Sequence, residues 1–128
     1  MLGAEYVAAA IGVIMHLSNW IMHNDPGRTE PLTWPEVTSN IDHLANDEHN
    51  IDAITMLITD YFSDQPEKAL KVARCESGLN PLAYNRSGPY IGLYQIENGP
   101  SDARENVAQA SRMHERRGWQ PWPVCGRL

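Results

Sequence analysis

The sequence predicts a mainly α-helical protein, α+β at most, on three observations. Apolar residues recur at helical spacing in five segments, near residues 4–23, 38–45, 48–62, 66–77 and 102–117. Those segments are separated by Pro, Gly, Asn and Asp, the residues that form turns and helix ends. Only residues 82–97, punctuated by Gly88 and Gly92, have the character of a short hairpin or irregular loop. With 128 residues, 42% apolar and 20% charged, the chain suits a modest packed domain rather than a disordered polymer.

The first segment is the most apolar. Its polar positions Glu5, Gly12, His16, Asn19 and His23 are spaced by seven, four, three and four, so they form one stripe of a helix. A helix apolar all round that stripe belongs in a core or bundle, or against a membrane. Tyr6–Met22 sits at the lower limit of a membrane span and contains His16, Ser18 and Asn19, which favours the core or bundle. No Lys or Arg precedes it, so it fits a secretory signal poorly. Asn24-Asp25-Pro26-Gly27 is strong turn chemistry, and Pro31 and Pro35 are expected to keep residues 24–36 irregular.

Helix is expected to resume at Thr38–Ser39, both good N-caps, and to run to Ala45, where Asn46-Asp47 interrupts it. Ile51, Ile54, Leu57, Ile58 and Tyr61 mark an amphipathic helix over 48–62. Ser63-Asp64 can cap the next helix, 66–77, with Pro66 in its first turn. Ala69, Val72 and Ala73 form the small apolar face of that helix, and Glu76 lies on it at spacings of seven, four and three. Gly78 and Pro81 end the helix. The last helix, 102–117, has Val107, Ala110 and Met113 on one side and stops at Gly118.

Net charge is −6, but unevenly distributed. Residues 1–65 carry one Arg against ten acidic residues, and residues 66–128 carry nine Lys/Arg against six. The basic half is suited to an anionic polymer, although two solvated faces would give the same pattern. Basic residues do not interleave with aromatics in a run, which argues against nucleic acid. The five histidines make no metal-ligand spacing, and Cys75 and Cys125 make no CxxC, so no metal or cofactor is expected. A Cys75–Cys125 disulfide would imply assembly outside the reducing cytosol; the alternative is two unrelated thiols.

Cys75-Glu76-Ser77-Gly78-Leu79-Asn80-Pro81 resembles the catalytic signature of the lysozyme-like lytic transglycosylases, and Gly92-Leu93-Tyr94-Gln95-Ile96 resembles their second signature. Asp60-Tyr61-Phe62, Ala69-Leu70, Asn106, Ala110 and the ending Gly118-Trp119 to Cys125 are similar to compact forms of this domain from actinobacteria and their phages. The resemblance covers about residues 50–128 and implies a lysozyme-like fold there. The domain reading is accordingly 48–128 as the transglycosylase-like unit and 1–47 as a helical extension of unknown role. Both cysteines fall inside the resembling unit, which favours their pairing.

The resemblance implies cleavage of the β-1,4 bond between N-acetylmuramic acid and N-acetylglucosamine in peptidoglycan glycan strands. Glu76 is then the single general acid and base, and its place on an apolar face gives a reason for a protonated carboxyl. The competing reading is a helix-end glutamate paired with Arg74 or a backbone amide. Gln95 resembles the family's cleft-lining glutamine; its other reading is an amide that ties the loop down. Tyr94, Tyr84 and Tyr90 are candidates to stack on sugar rings, with core packing the equal alternative for Tyr94. Ser77 is expected beside Glu76 at the helix end, and Asn80 and Asn85 on the loop flanking the cleft. Glu97 and Asp102 are read as structural or solvated, and Trp119, Trp122 and Asn106 as structural. Arg112, Arg116 and Arg117 are either an attraction for anionic wall polymer or a solvated helix face.

The expected setting is extracytoplasmic: the cell wall or a phage virion. Residues 4–23 are the candidate contact for a virion or membrane partner. A different class of function is a non-catalytic structural or virion-assembly protein that retains a lysozyme-like fold.

Overall fold

The computed structural model describes residues 34–128. The helix expected over 4–23 and the Asn24–Gly27 turn lie outside the described residues. The described part is mainly helical, with one small antiparallel sheet: α1 (Trp34–Ala45), α2 (Ile51–Tyr61), α3 (Pro66–Ser77), β1 (Tyr84–Asn85), β2 (Tyr90–Ile91), β3 (Ile96–Glu97), α4 (Ala103–Arg117) and a terminal 3-10 turn, Cys125–Arg127. Among the described residues, no helix is long and apolar enough to cross a membrane.

α1 begins four residues earlier than Thr38–Ser39 suggested. Pro35 falls in its first turn, where a missing N–H removes no intrahelical bond, so proline starts the helix instead of preventing it. Asn46 ends α1 and does more than interrupt it. Its Nδ2 donates to the Asp42 carbonyl (2.7 Å) and to Asp102 Oδ1 (3.0 Å), and its Oδ1 accepts from the Ala103 N–H (2.9 Å). One amide thus joins the end of α1 to the start of α4. The Arg104–Asp42 ion pair reinforces the same junction. Ile41 and Ala45 lie in the common core, so the packed unit reaches back across the boundary expected at 47.

Asn50 caps α2 by accepting from the Ala53 N–H (3.1 Å). Ile54, Leu57 and Ile58 are at most 1% exposed, and each such side chain contributes about 1.5–3 kcal/mol by leaving water. Ile51 does not join them: it stands in the first turn and is exposed. α2 packs against α1, α3 and α4, which makes it the central helix. α3 starts at Pro66 from an N-cap at Gln65, not from the Ser63-Asp64 cap expected. Gln65 makes no side-chain cap bond; its Oε1 accepts instead from Trp119 Nε1 (3.0 Å), a tertiary contact that local sequence does not encode. α3 buries Ala69, Val72 and Ala73 and ends at Gly78 in the left-handed region (φ 66°).

The stretch 82–97 forms three two-residue strands in the order β1-β2-β3, one more than a hairpin requires. Its attachment to the helices runs through Asn106 of α4, which is fully buried. Asn106 Oδ1 accepts from the Tyr94 N–H (3.1 Å), and Nδ2 donates to the carbonyls of Ile91 (2.9 Å) and Pro100 (3.0 Å). The chain approaches this amide at Gly92, where a Cβ would meet Asn106 Nδ2 at 2.5 Å and φ is +80°. Glycine is required there on both counts. Replacing Asn106 with Ala strands a buried N–H and two carbonyls. It is expected to cost about 2–4 kcal/mol, read as a lower urea midpoint with unchanged slope.

Candidate active site

Glu76 stands in the last turn of α3, on the face that carries Ala69, Val72 and Ala73, all three without solvent exposure. Its side chain is half-buried. Loss of solvation there raises its pKa above the ordinary carboxylate value. Among the described residues no cation pairs with it, and Arg74 points to solvent, so the expected alternative of a Glu76–Arg74 pair does not occur. The carboxyl opens into a cleft of about 550 Å³.

Four pieces of chain form this cleft: the end of α3, the sheet with the Gln95 turn, the end of α4, and the terminal segment Pro121–Cys125. The sheet contributes one cross-strand row of side chains and, from β3, Ile96. Asn85 pairs with Tyr90 and Tyr90 with Glu97, so the three stand side by side on one face, and all three line the cleft. Tyr84 precedes Asn85 by one residue, points to the other face, and does not line the cleft. It is replaced as a candidate stacking group by Tyr90, which is 37% exposed. Glu97, expected to be structural or solvated, is a second carboxylate in the same cleft.

Tyr94 is also corrected. It is 0% exposed, its hydroxyl donates to the Ala69 carbonyl (2.9 Å), and its ring packs on Phe62 and edge-on to Trp122. It supports α3 from inside the core and does not line the cleft. Its own pKa is raised well above the usual phenol value by burial. Ser77 serves the same junction: its Oγ lies 2.9 Å from the Ala73 carbonyl and 2.8 Å from the Leu93 carbonyl, joining α3 to the segment 92–96.

Gln95 lines the cleft with Glu76 and also ties down the loop, so both of its expected roles have a basis. Its Nε2 donates to the carbonyls of Ala83 (3.2 Å) and Gly92 (2.9 Å), which spends both amide protons. Its backbone is held at φ +47°, an uncommon conformation for a non-glycine residue. Asn85 turns its Oδ1 to the Ser87 N–H (3.0 Å) and hydroxyl (2.9 Å), shaping the rim.

Cys75 and Cys125 form a disulfide with Cα atoms 5.7 Å apart. The bond joins the residue before Glu76 to a residue that itself lines the cleft. Trp122, 3% exposed, anchors the same tail by donating from Nε1 to the Tyr94 carbonyl (2.8 Å). Trp119 stacks on Phe62 at 5.6 Å between ring centres. Both tryptophans lock the tail to the core, and Trp122 also lines the cleft. Among the described residues no cluster of His, Cys, Asp and Glu is arranged to hold a metal ion.

No family model, no curated protein and no solved structure matches the chain.

Two outcomes are expected from this geometry. A Cys75→Ala, Cys125→Ala double variant releases a loop with a sequence separation of 50 residues and is expected to lose about 4 kcal/mol in chemical denaturation. Glu76 titrates higher when folded than when unfolded, so the folded chain binds its proton more tightly. Stability from this group is therefore present at low pH and falls as pH rises from the unfolded value through the raised folded one. Glu76→Gln removes that loss, so its melting temperature relative to wild type should be more favourable at pH 7 than at pH 4.

Proposed function

We propose that this chain cleaves the β-1,4 bond between N-acetylmuramic acid and N-acetylglucosamine in peptidoglycan, with Glu76 as general acid and base. The observation that carries the reading is one carboxyl, raised in pKa by burial and without an ion-pair partner among the described residues, at the wall of a cleft of about 550 Å³. The resemblance of residues 75–81 and 92–96 to the two transglycosylase signatures supports the same assignment. So does the order of elements after Glu76, a small antiparallel sheet and then a closing helix, which suits a lysozyme-like fold.

Cleaving a glycosidic bond requires a proton on a poor leaving oxygen. Protonated Glu76 gives its proton to the bridging oxygen as the bond from that oxygen to the anomeric carbon breaks. The resulting carboxylate then takes the proton of the muramic 6-hydroxyl while that oxygen bonds to the anomeric carbon, closing a 1,6-anhydro ring. If water takes the place of the 6-hydroxyl, the product is a reducing sugar. Gln95 Oε1, left over once Nε2 is committed to the loop, is the polar atom available to orient a sugar hydroxyl. Tyr90 offers a ring face at the rim, and Asn85 a polar edge. The disulfide suits action outside the reducing cytosol, at a cell wall or on a phage particle.

Purified protein is expected to release soluble muropeptides from peptidoglycan, and Glu76→Gln to lower that rate by at least about a hundredfold while keeping the circular dichroism of the fold. Activity should fall as pH rises through the raised pKa of Glu76, because only the protonated acid can act. Mass spectrometry of the fragments distinguishes anhydro from reducing ends. A wild-type protein that releases nothing across pH and salt would leave the non-catalytic, assembly-protein reading in its place.

A further inference from the structure

We infer that Arg117 is a specificity-determining residue of the Glu76 cleft: it selects glycan strands that carry a carboxylate on the muramic unit over neutral strands. The inference rests on the glycan-cleaving reading and adds to it the chemical class of the preferred strand.

Three arginines close α4, at positions 112, 116 and 117, and the fold separates them. Only Arg117 lines the cleft that holds Glu76. It has an unspent charge there. Among the described residues no acidic side chain forms an ion pair with it, although Glu76 and Glu97 line the same cleft. Arg104, on the same helix, is by contrast paired with Asp42. A guanidinium presents a planar fork of donors that matches a carboxylate. The terminal segment Pro121–Val124 continues the wall beyond it with largely apolar groups, so the fork is the cationic feature of that side.

The repeating unit of the proposed substrate offers a matching anion. The lactyl ether of muramic acid ends in a carboxylate when the peptide is absent, and the attached stem peptide brings carboxylates of its own. A polymer of N-acetylglucosamine alone has the same β-1,4 backbone and no negative charge. Arg117 is thus a means of telling the two strands apart without contact at the bond that breaks.

The test is calorimetric binding to Glu76→Gln protein, which holds strands without cutting them. Three hexasaccharides serve as probes: neutral N-acetylglucosamine, peptide-stripped wall strand with free lactyl carboxylates, and wall strand bearing stem peptides. Adding Arg117→Gln should weaken binding of an anionic strand about fivefold and abolish its salt sensitivity, while the neutral affinity stays the same. Arg117→Lys should retain most of the preference. A loss confined to the stripped strand identifies the lactyl carboxylate as the ligand, and a loss confined to the peptide-bearing strand identifies the stem peptide. An equal loss for all three probes, or none, overturns the inference and leaves the assignment of Glu76 intact. Failure of every strand to bind before Arg117 is changed rejects the glycan reading itself.

Discussion

The buried amide of Asn106 is the interaction on which the arrangement depends. Three hydrogen bonds from one side chain hold the backbone at Ile91, Tyr94 and Pro100, which is the whole segment carrying β3 and Gln95. Two-residue strands have too few ladder bonds to stand alone in water. Anchored to α4, they become a firm wall facing Glu76. The cost of burying an amide is met because both ends of the group are satisfied. Its close approach is possible because position 92 has no Cβ.

From that anchor the cleft follows. Tyr94 lies within the anchored segment and reaches back to α3, where its hydroxyl bonds the Ala69 carbonyl one face-repeat before Glu76. Ser77 bonds the Leu93 carbonyl from the other side of Glu76. The helix that carries the acid is therefore pinned on both sides of the acid. The disulfide adds a third constraint, drawing the tail across to form the remaining wall. Partial exclusion of water raises the pKa of Glu76, and this packing supplies it while leaving one side open.

Much of this was legible in the residues. Helical spacing put Glu76 with Ala69, Val72 and Ala73, and α3 has that face buried. Gly78 and Gly118 end α3 and α4 at the places their backbone freedom suggested. Asp102, read from the sequence as structural or solvated, caps α4 by accepting from the Glu105 N–H (3.1 Å). The site was less legible than the fold. Tyr84, Tyr90 and Tyr94 are alike as sequence, yet they stand respectively away from the cleft, at its rim and in the core. Strand register decides the first two, and a one-residue step reverses the face. The start of α3 at Pro66 was legible, but its cap was not: Gln65 holds the N-cap position, and its side chain answers to Trp119, 54 positions away.

Local sequence determined the helices, the glycine ends of α3 and α4 and the residue chemistry that singles out Glu76, because these depend on spacing and backbone preference within a few residues. Tertiary structure alone decided that Glu97, Tyr90 and Arg117 share the cleft with Glu76 while Tyr94 does not, and that the tail completes it. Those placements depend on cross-strand register, a buried amide and a disulfide, each of which joins residues whose separation in the chain carries no period to read.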